Sequence, residues 1–323
     1  MARKKALIIG INYFGTDHEL QGCINDSINI REFLVQDRGF SPSRNDMVVM
    51  SDSPENEGTP FYPTGANILA AISWLVSYNQ PGDILWLSYS GHGSQVRNDE
   101  RPSGFDDTIC PVDFQYNGQI TSDTLHRAIV SPMNPECRLT ILFDCCHSGS
   151  ACELPYVYRP DADGNVNLVD TMRQGMNLLR SAGELLQGGF SMSKVDDAKM
   201  LLGGATDFFN SLHHLRNGGA EGDGDGNEDG LALEGYQEHW ETEGKDVWMF
   251  SGCADNQTSA DTSIAGAATG AMSWGLVRTL RENPEQSYLN VLQNTREELA
   301  QNYSQIPQLS CSGSFDLDQV LVL

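Results

Sequence analysis

Short runs of branched and aromatic residues recur along the chain, separated by segments in which apolar positions repeat every three or four residues. Lys5 to Ile11, Met47 to Ser51, Ile84 to Ser88, Leu139 to Phe143 and Val247 to Ser251 are of the first kind, apolar on nearly consecutive positions. A strand buried on both faces reads this way, because neither set of alternating side chains meets water, and such strands belong to parallel sheets covered by helices. Gly22 to Leu34, Thr64 to Tyr78, Ser122 to Val130, Ala267 to Arg281 and Ser287 to Asn302 read as helices. The alternation predicts an α/β fold with a mostly parallel central sheet. A final strand is expected near Val320 to Leu323.

The alternation breaks once. From Pro155 to Lys245 the chain reads as irregular, with a turn at Asp161 to Gly164, some helix at Met176 to Gln187 and an acidic glycine tract from Gly218 to Gly230. One domain is therefore expected, with a large region at 1–154, an insertion at 155–245 and a small region at 246–323. A parallel sheet covered on both faces can absorb 323 residues in one core.

Composition narrows the partners. Hydrophobic content of 39% with 20% charged residues is ordinary for a globular chain, and no apolar run approaches the roughly 20 residues that span a bilayer. The basic start, Met1 to Lys5, leads into Ala6 to Ile11, an apolar stretch too short for a secretion signal and better suited to a first strand. Eight cysteines without repeated spacing, two of them consecutive, are no disulfide framework. A reduced cytoplasmic setting, with access to the nucleus, is expected, with Cys23, Cys110, Cys137 and Cys253 as small buried hydrophobes. A net charge of −24 disfavours nucleic acid and anionic membranes and favours cationic peptides.

Two motifs carry the candidate chemistry. Tyr89-Ser90-Gly91-His92-Gly93-Ser94-Gln95 follows one buried run, and Phe143-Asp144-Cys145-Cys146-His147-Ser148-Gly149 closes another. In open α/β sheets ligands bind beyond the carboxyl ends of the strands, so His92 and Cys146 converge on one cleft if their strands are neighbours about 4.8 Å apart. A thiol and an imidazole there make a nucleophile and its base. Cys145 competes with Cys146, and alternation at the strand end sends one of the two into the core. The rival α/β signatures are absent: no phosphate-binding G-x-x-x-x-G-K-[S/T], no G-x-G-x-x-G, no G-x-S-x-G. Asp223 to Glu234 spaces its acids like a calcium-binding loop, but Glu228 stands where that loop needs glycine. The remaining histidines, His213 and His214 among them, read as solvated surface residues.

These motifs resemble those of the metacaspases, in particular the fungal type I group of the caspase-like cysteine peptidases. Further matching pieces are Leu20 to Asp26, Ile109 to Asp113, Ser251 to Cys253 with Gln257 to Asp261, and Pro307 to Ser310, in family order over nearly the whole chain. The chain departs from type I members in lacking their proline- and glutamine-rich prodomain, so recruitment through such a segment is not expected. The resemblance implies a caspase-like three-layer sandwich and a monomer. It selects Cys146 as nucleophile and His92 as base, leaves Cys145 structural, and puts the amides of Gly93 and Cys146 in the oxyanion hole.

Asp26 and Asp144 should both lie at the carboxyl edge of the sheet, where two carboxylates favour a cationic side chain before the scissile bond. The resemblance adds Cys23 and Ser90 to that pocket and likewise implies cleavage after arginine or lysine. The plainer alternatives are a helix cap for Asp26 and a hydrogen-bonded strand end for Asp144. It also implies activating calcium at Asp106, Asp123 and Glu153, with Ser122 where the family can supply another aspartate; a solvated acidic surface is the alternative. Self-cleavage in the 155–245 insertion is implied too, with Lys194, Lys199, Arg216 and Lys245 as candidate sites. Two other readings stay open: a non-catalytic scaffold that binds misfolded or partner proteins, and an aspartate-directed peptidase of the same superfamily.

Overall fold

The expected buried runs pair side by side in a computed structural model. It describes residues 2–98, 105–145, 151–160, 166–168, 244–253, 262–264, 267–301, 303 and 305–323. In chain order the elements are β1 Lys4–Gly10, α1 Cys23–Asp37, β2 Met47–Ser51, α2 Gly65–Val76, β3 Ile84–Ser90, β4 Gly93–Arg97 and β5 Phe105–Ile109. Then come α3 Phe114–Asn117, β6 Ile120–Thr121, α4 Ser122–Ile129, β7 Arg138–Asp144, β8 Tyr156–Pro160, β9 Val166–Leu168, β10 Asp246–Cys253, β11 Thr262–Ile264 and β12 Ala267–Thr269. The last three are α5 Ala271–Glu282, α6 Tyr288–Ala300 and β13 Ile306–Cys311.

The main sheet has the order β2-β1-β3-β7-β10-β13-β8-β9. Its first five strands are parallel, and β13, β8 and β9 continue it in antiparallel pairs. Alternation along each parallel strand feeds two cores. Leu7, Ile9, Leu85, Leu87, Leu139, Ile141, Val247 and Met249 pack on one face with Ile68 and Ile72 of α2 and Leu125 and Ile129 of α4. Ala6, Ile8, Trp86, Leu142, Trp248 and Phe250 pack on the other with Phe33 of α1, Leu276 of α5 and Val291 and Leu292 of α6. Consecutive apolar residues are needed because both faces are dry, and each fully buried Leu or Ile adds about 1.5–3 kcal/mol. The result is the α/β fold with a mostly parallel central sheet that the pattern predicts, in the three layers that the resemblance implies.

Four expectations change. Val320 to Leu323 is no strand: Val320 makes one isolated bridge to Ser287. The final strand is β13, disguised by Pro307, which the structure accommodates because the pairing of β13 with β8 runs only over Leu309 to Cys311 and asks no N–H of Pro307. Residues 156–160 and 166–168, read as irregular, are β8 and β9 of the main sheet; the expected helix at Met176 to Gln187 and the tract at Gly218 to Gly230 lie outside the described residues. The helix expected from Ala267 begins at Ala271, after β12. A second sheet, β4-β5-β6, was also hidden, because its strands are short and polar.

Candidate active site

β3 and β7 are parallel neighbours in the register Tyr89↔Phe143 and Ser90↔Asp144, so the two motifs leave the sheet side by side at its carboxyl edge. Cys145, the residue after β7, is 1% exposed and sits in the core among aliphatic and aromatic side chains. It takes the structural place expected of one member of the cysteine pair. Cys146 lies outside the described residues.

His92 stands between the main sheet and the small one, two residues after β3 and one before β4. Its Nε2 is 2.7 Å from the carbonyl oxygen of His18. A carbonyl only accepts, so Nε2 carries the proton and Nδ1 is the basic nitrogen of the neutral ring. The Tyr13 ring lies against the imidazole, with centroids 4.7 Å apart and planes tilted by 39°. The main chain is fixed as well: His92 N–H donates to Tyr13 Oη at 2.9 Å, and Tyr89 Oη donates to the His92 carbonyl at 2.7 Å. Burial pushes both phenol pKa values well above their ordinary value, so both tyrosines stay neutral hydrogen-bonding groups.

Gly93 follows as the first residue of β4. Cys110 N–H donates to the His92 carbonyl at 3.1 Å, which makes 92 and 110 a hydrogen-bonded pair. Gly93 and Ile109 are next in register, and by antiparallel alternation they form a non-hydrogen-bonded pair, so the Gly93 N–H points away from β5.

The expected pocket residues come together. Asp26, Asp144, Cys23 and Ser90 are all buried, and Ser90 Oγ donates to Asp26 Oδ2 at 2.6 Å. Asp26 does not cap its own helix, whose N-cap is Gly22. Its carboxylate instead accepts the N–H of Gly270 at 2.8 and 2.9 Å, and Asp144 Oδ2 accepts that of Ser273 at 2.7 Å. Both acids thus hold the N-terminus of α5, where orphan N–H groups and the helix dipole favour negative charge. Gly270 fits between them because it has no side chain: a Cβ there would lie 2.2 Å from Asp144 Oδ2 and 2.8 Å from Asp26 Oδ2.

The expected calcium residues lie on adjoining segments. β5 pairs with β6 through Thr108↔Thr121, which sets Asp106 near Ser122 and Asp123 at the start of α4. Oxygen donors alone fit a hard cation. Their present partners are protein groups, however: Asp106 Oδ2 accepts from Asn98 at 2.7 Å, Glu153 Oε1 from Ser122 Oγ at 2.6 Å, and Asp123 Oδ2 is 3.2 Å from Arg127 Nε. Among the described residues no group of three or more acidic, histidine or cysteine side chains is gathered to hold a metal.

Of the candidate self-cleavage residues, Lys194, Lys199 and Arg216 lie outside the described residues. Lys245 is half-buried, with Nζ 2.5 Å from the Met133 carbonyl and its own carbonyl accepting from Ser312 Oγ at 2.6 Å. His126 corrects the reading of the other histidines as surface groups: it is 1% exposed on the inner side of α4, with Nδ1 2.8 Å from the Cys152 carbonyl. Cys23, Cys110 and Cys137 are buried as expected, Cys152 and Cys311 are buried too, and the Cys253 side chain is not among those described. No helix among the described residues is long and apolar enough to cross a membrane. Sequence reasoning missed His18, Tyr13, Tyr89 and Gly270. Tyr89 lay inside the histidine motif, whereas His18 acts through its main chain and leaves no signal.

A mostly parallel α/β sandwich with a histidine and a cysteine pair beyond neighbouring strand ends has the ground plan of a cysteine peptidase. Residues 4–155 match the family described as metacaspase, peptidase C14 domain. Metacaspase-1A of Aspergillus terreus is 41% identical over 325 residues, covering 99% of this chain and 73% of that protein. Metacaspase-1 of Schizosaccharomyces pombe is 40% identical over 324 residues, covering 99% and 70%. Among solved structures, protein GSU0716 from Geobacter sulfurreducens shares the fold, with TM-score 0.55 and 20% identity over 98% of this chain and 97% of its own. The chain belongs to the metacaspase family of cysteine peptidases.

Proposed function

We propose that this peptidase cuts proteins after arginine or lysine with a Cys146–His92 dyad, is activated by calcium, and cleaves itself within 155–245. The carrying observation is the pair of buried carboxylates, Asp26 and Asp144, on either side of Gly270 at the edge where His92 emerges. A guanidinium or ammonium entering beside them gains charge-assisted hydrogen bonds, bidentate for arginine. An acidic side chain there would meet like charge.

In this reading the Cys146 thiolate attacks the scissile carbonyl carbon. The carbonyl π electrons move to oxygen, and the N–H groups of Gly93 and Cys146 stabilise the oxyanion. Collapse breaks the C–N bond, and the proton on His92 Nδ1 passes to the leaving amine. Nδ1 then takes a proton from water as its oxygen attacks the thioester; the second collapse breaks the C–S bond and releases the new carboxyl terminus and the thiolate. Nε2 stays bonded to the His18 carbonyl throughout, which fixes the ring.

Calcium would be held by Asp106, Ser122, Asp123 and Glu153, supplying a fixed positive charge that draws these segments together. Its arrival requires Asp123 to leave Arg127 and Glu153 to loosen from Ser122. Lys245, held by both its ammonium and its carbonyl, is the least favoured self-cleavage site, which leaves Lys194, Lys199 and Arg216. The natural partners are protein substrates, with 1–154 and 246–323 as large and small regions and 155–245 as the processed insertion.

The test is hydrolysis of arginine-ended and aspartate-ended peptides by the purified chain, with and without calcium, alongside Cys146→Ala, Cys145→Ala and His92→Ala. Calcium-stimulated cleavage after arginine, abolished by Cys146→Ala and His92→Ala and kept by Cys145→Ala, is expected. Cleavage that survives Cys146→Ala, or that prefers aspartate, overturns the reading.

A further inference from the structure

We infer that Tyr13 and Tyr89 are positioning residues for the catalytic histidine, and that the Tyr13 phenol does so by wedging open the β4–β5 ladder beneath it. The inference rests on the assignment of His92 as the base.

The wedge is visible in the hydrogen bonds around the pair 92/110. In an antiparallel hydrogen-bonded pair the two residues exchange two direct bonds. One is present, from Cys110 N–H to the His92 carbonyl at 3.1 Å. In place of the other, His92 N–H donates to Tyr13 Oη at 2.9 Å, and Tyr13 Oη donates to the Cys110 carbonyl at 2.6 Å. A phenol oxygen has been inserted into the ladder, and it relays the bond across a gap that the strands cannot close. The splayed end is where His92 leaves the sheet.

Tyr89 secures the other side. Its hydroxyl donates to the His92 carbonyl at 2.7 Å and accepts from Cys110 N–H at 3.3 Å, and the two phenol oxygens lie 3.0 Å apart. Each phenol has one proton, so the two shortest bonds use both, and each oxygen accepts one backbone N–H in return. The histidine main chain is thereby held at its N–H by one tyrosine and at its C=O by the other. Both rings are 1% exposed, so no water competes for these bonds.

Two independent features show that the arrangement is enforced. Tyr13 has φ 54°, a left-handed backbone that a bulky residue enters only at a cost, and it aims the phenol at the ladder. Gly91 leaves the space for both hydroxyls: a Cβ there would lie 2.7 Å from Tyr89 Oη and 2.9 Å from Tyr13 Oη. The same Tyr13 side chain lays its ring against the imidazole, so one residue sets both the main chain and the ring of His92.

The experiment compares Tyr13→Phe, Tyr89→Phe and Gly91→Ala with the parent chain, using Ile72→Val as a core control remote from the site and Cys146→Ala and His92→Ala as references. Two readouts are taken: kcat and KM on an arginine-ended peptide, and the pH profile of Cys146 alkylation by iodoacetamide, followed on the Cys146 peptide by mass spectrometry. Tyr13→Phe keeps the ring and removes the relay, so the ladder closes and His92 is drawn back. The expected result is a fall in kcat of roughly 10- to 100-fold with KM within about twofold, as for a misplacement near 1 Å. Alkylation of Cys146 below neutral pH slows as well, because the thiolate loses a fixed imidazolium. Gly91→Ala, which displaces both hydroxyls without removing either, shows the same pattern, and Ile72→Val does not. Parent values of kcat and alkylation in the folded Phe variants, or losses that only track the unfolded fraction, overturn the inference. If Cys146→Ala or His92→Ala keeps parent activity, the assignment of the dyad fails instead.

Discussion

Gly270 owes its identity to two carboxylates. With a Cβ 2.2 Å from Asp144 Oδ2 it could not stay where it is, and the acid, as the end of a side chain, would have to swing aside. Gly270→Ala is therefore expected to raise KM for arginine-ended peptides roughly 10- to 100-fold, the loss of one charge-assisted hydrogen bond of about 1.5–3 kcal/mol. The value of kcat should change little, because His92 is held by other residues. Steady-state kinetics check this, and an unchanged KM would separate Asp144 from substrate binding. Nothing around Gly270 in the sequence announces this role. Asp26 and Asp144 were legible because each stands just beyond or within a recognisable element, but the group they share belongs to a helix more than 120 positions further on. His18 was illegible for a different reason: any residue type offers the same carbonyl.

α4 shows how an element carries more than its boundaries. Thr121 caps it by accepting the N–H of Thr124, and Asp123 in its first turn meets Arg127 one turn later. If calcium uses Asp123, Arg127 competes for it as a tethered cation. Arg127→Gln should then tighten calcium binding by up to roughly fivefold, the release of a pair worth up to about 1 kcal/mol. Calorimetric titration reads this without reference to activity; weaker binding in the variant would make Arg127 a support of the site. The same element was read from sequence to within a residue of its end, since its apolar face repeats at helical spacing. The five parallel strands were equally legible, being dry on both faces. β4, β5 and β6 were not, because strands of two to five residues that are mostly polar have too little pattern to register. That loss hid the ladder that positions His92.

At the scale of the whole molecule, buried titratable groups set how stability responds to alkali. Lys5 is 2% exposed on the first strand, with Nζ 2.6 Å from the Trp74 carbonyl and 3.2 Å from that of Ser77. Desolvation, aided by the charge of Arg3, lowers its pKa from 10.5 to about 8. Between those values the folded state has lost a proton that the unfolded state keeps, so this group alone makes stability rise with pH. Thiols act in the opposite sense. Burial raises the pKa of Cys311 from 9.0 to about 12 and also raises those of Cys152 and Cys137. Their contribution is complete below 9 and is lost as pH climbs past it, because the unfolded chain releases protons that the folded one retains. Tyr13, Tyr89 and Tyr288 join them above 10. Burial, aided by the charge of Arg38, also lowers the pKa of Lys4, so two lysines act against the thiols; each group contributes the same limiting slope, and the two lysines balance the thiols only while these begin to titrate and are outnumbered afterwards. The urea midpoint, measured with a phosphine reductant present, should hold nearly level from pH 7.5 to about 9 and fall by about pH 10. Lys5→Met should remove the plateau, so that the fall begins near pH 8.5, close to the ordinary thiol pKa. A midpoint still rising at pH 10 would mean that the buried thiols do not keep their protons in the folded state.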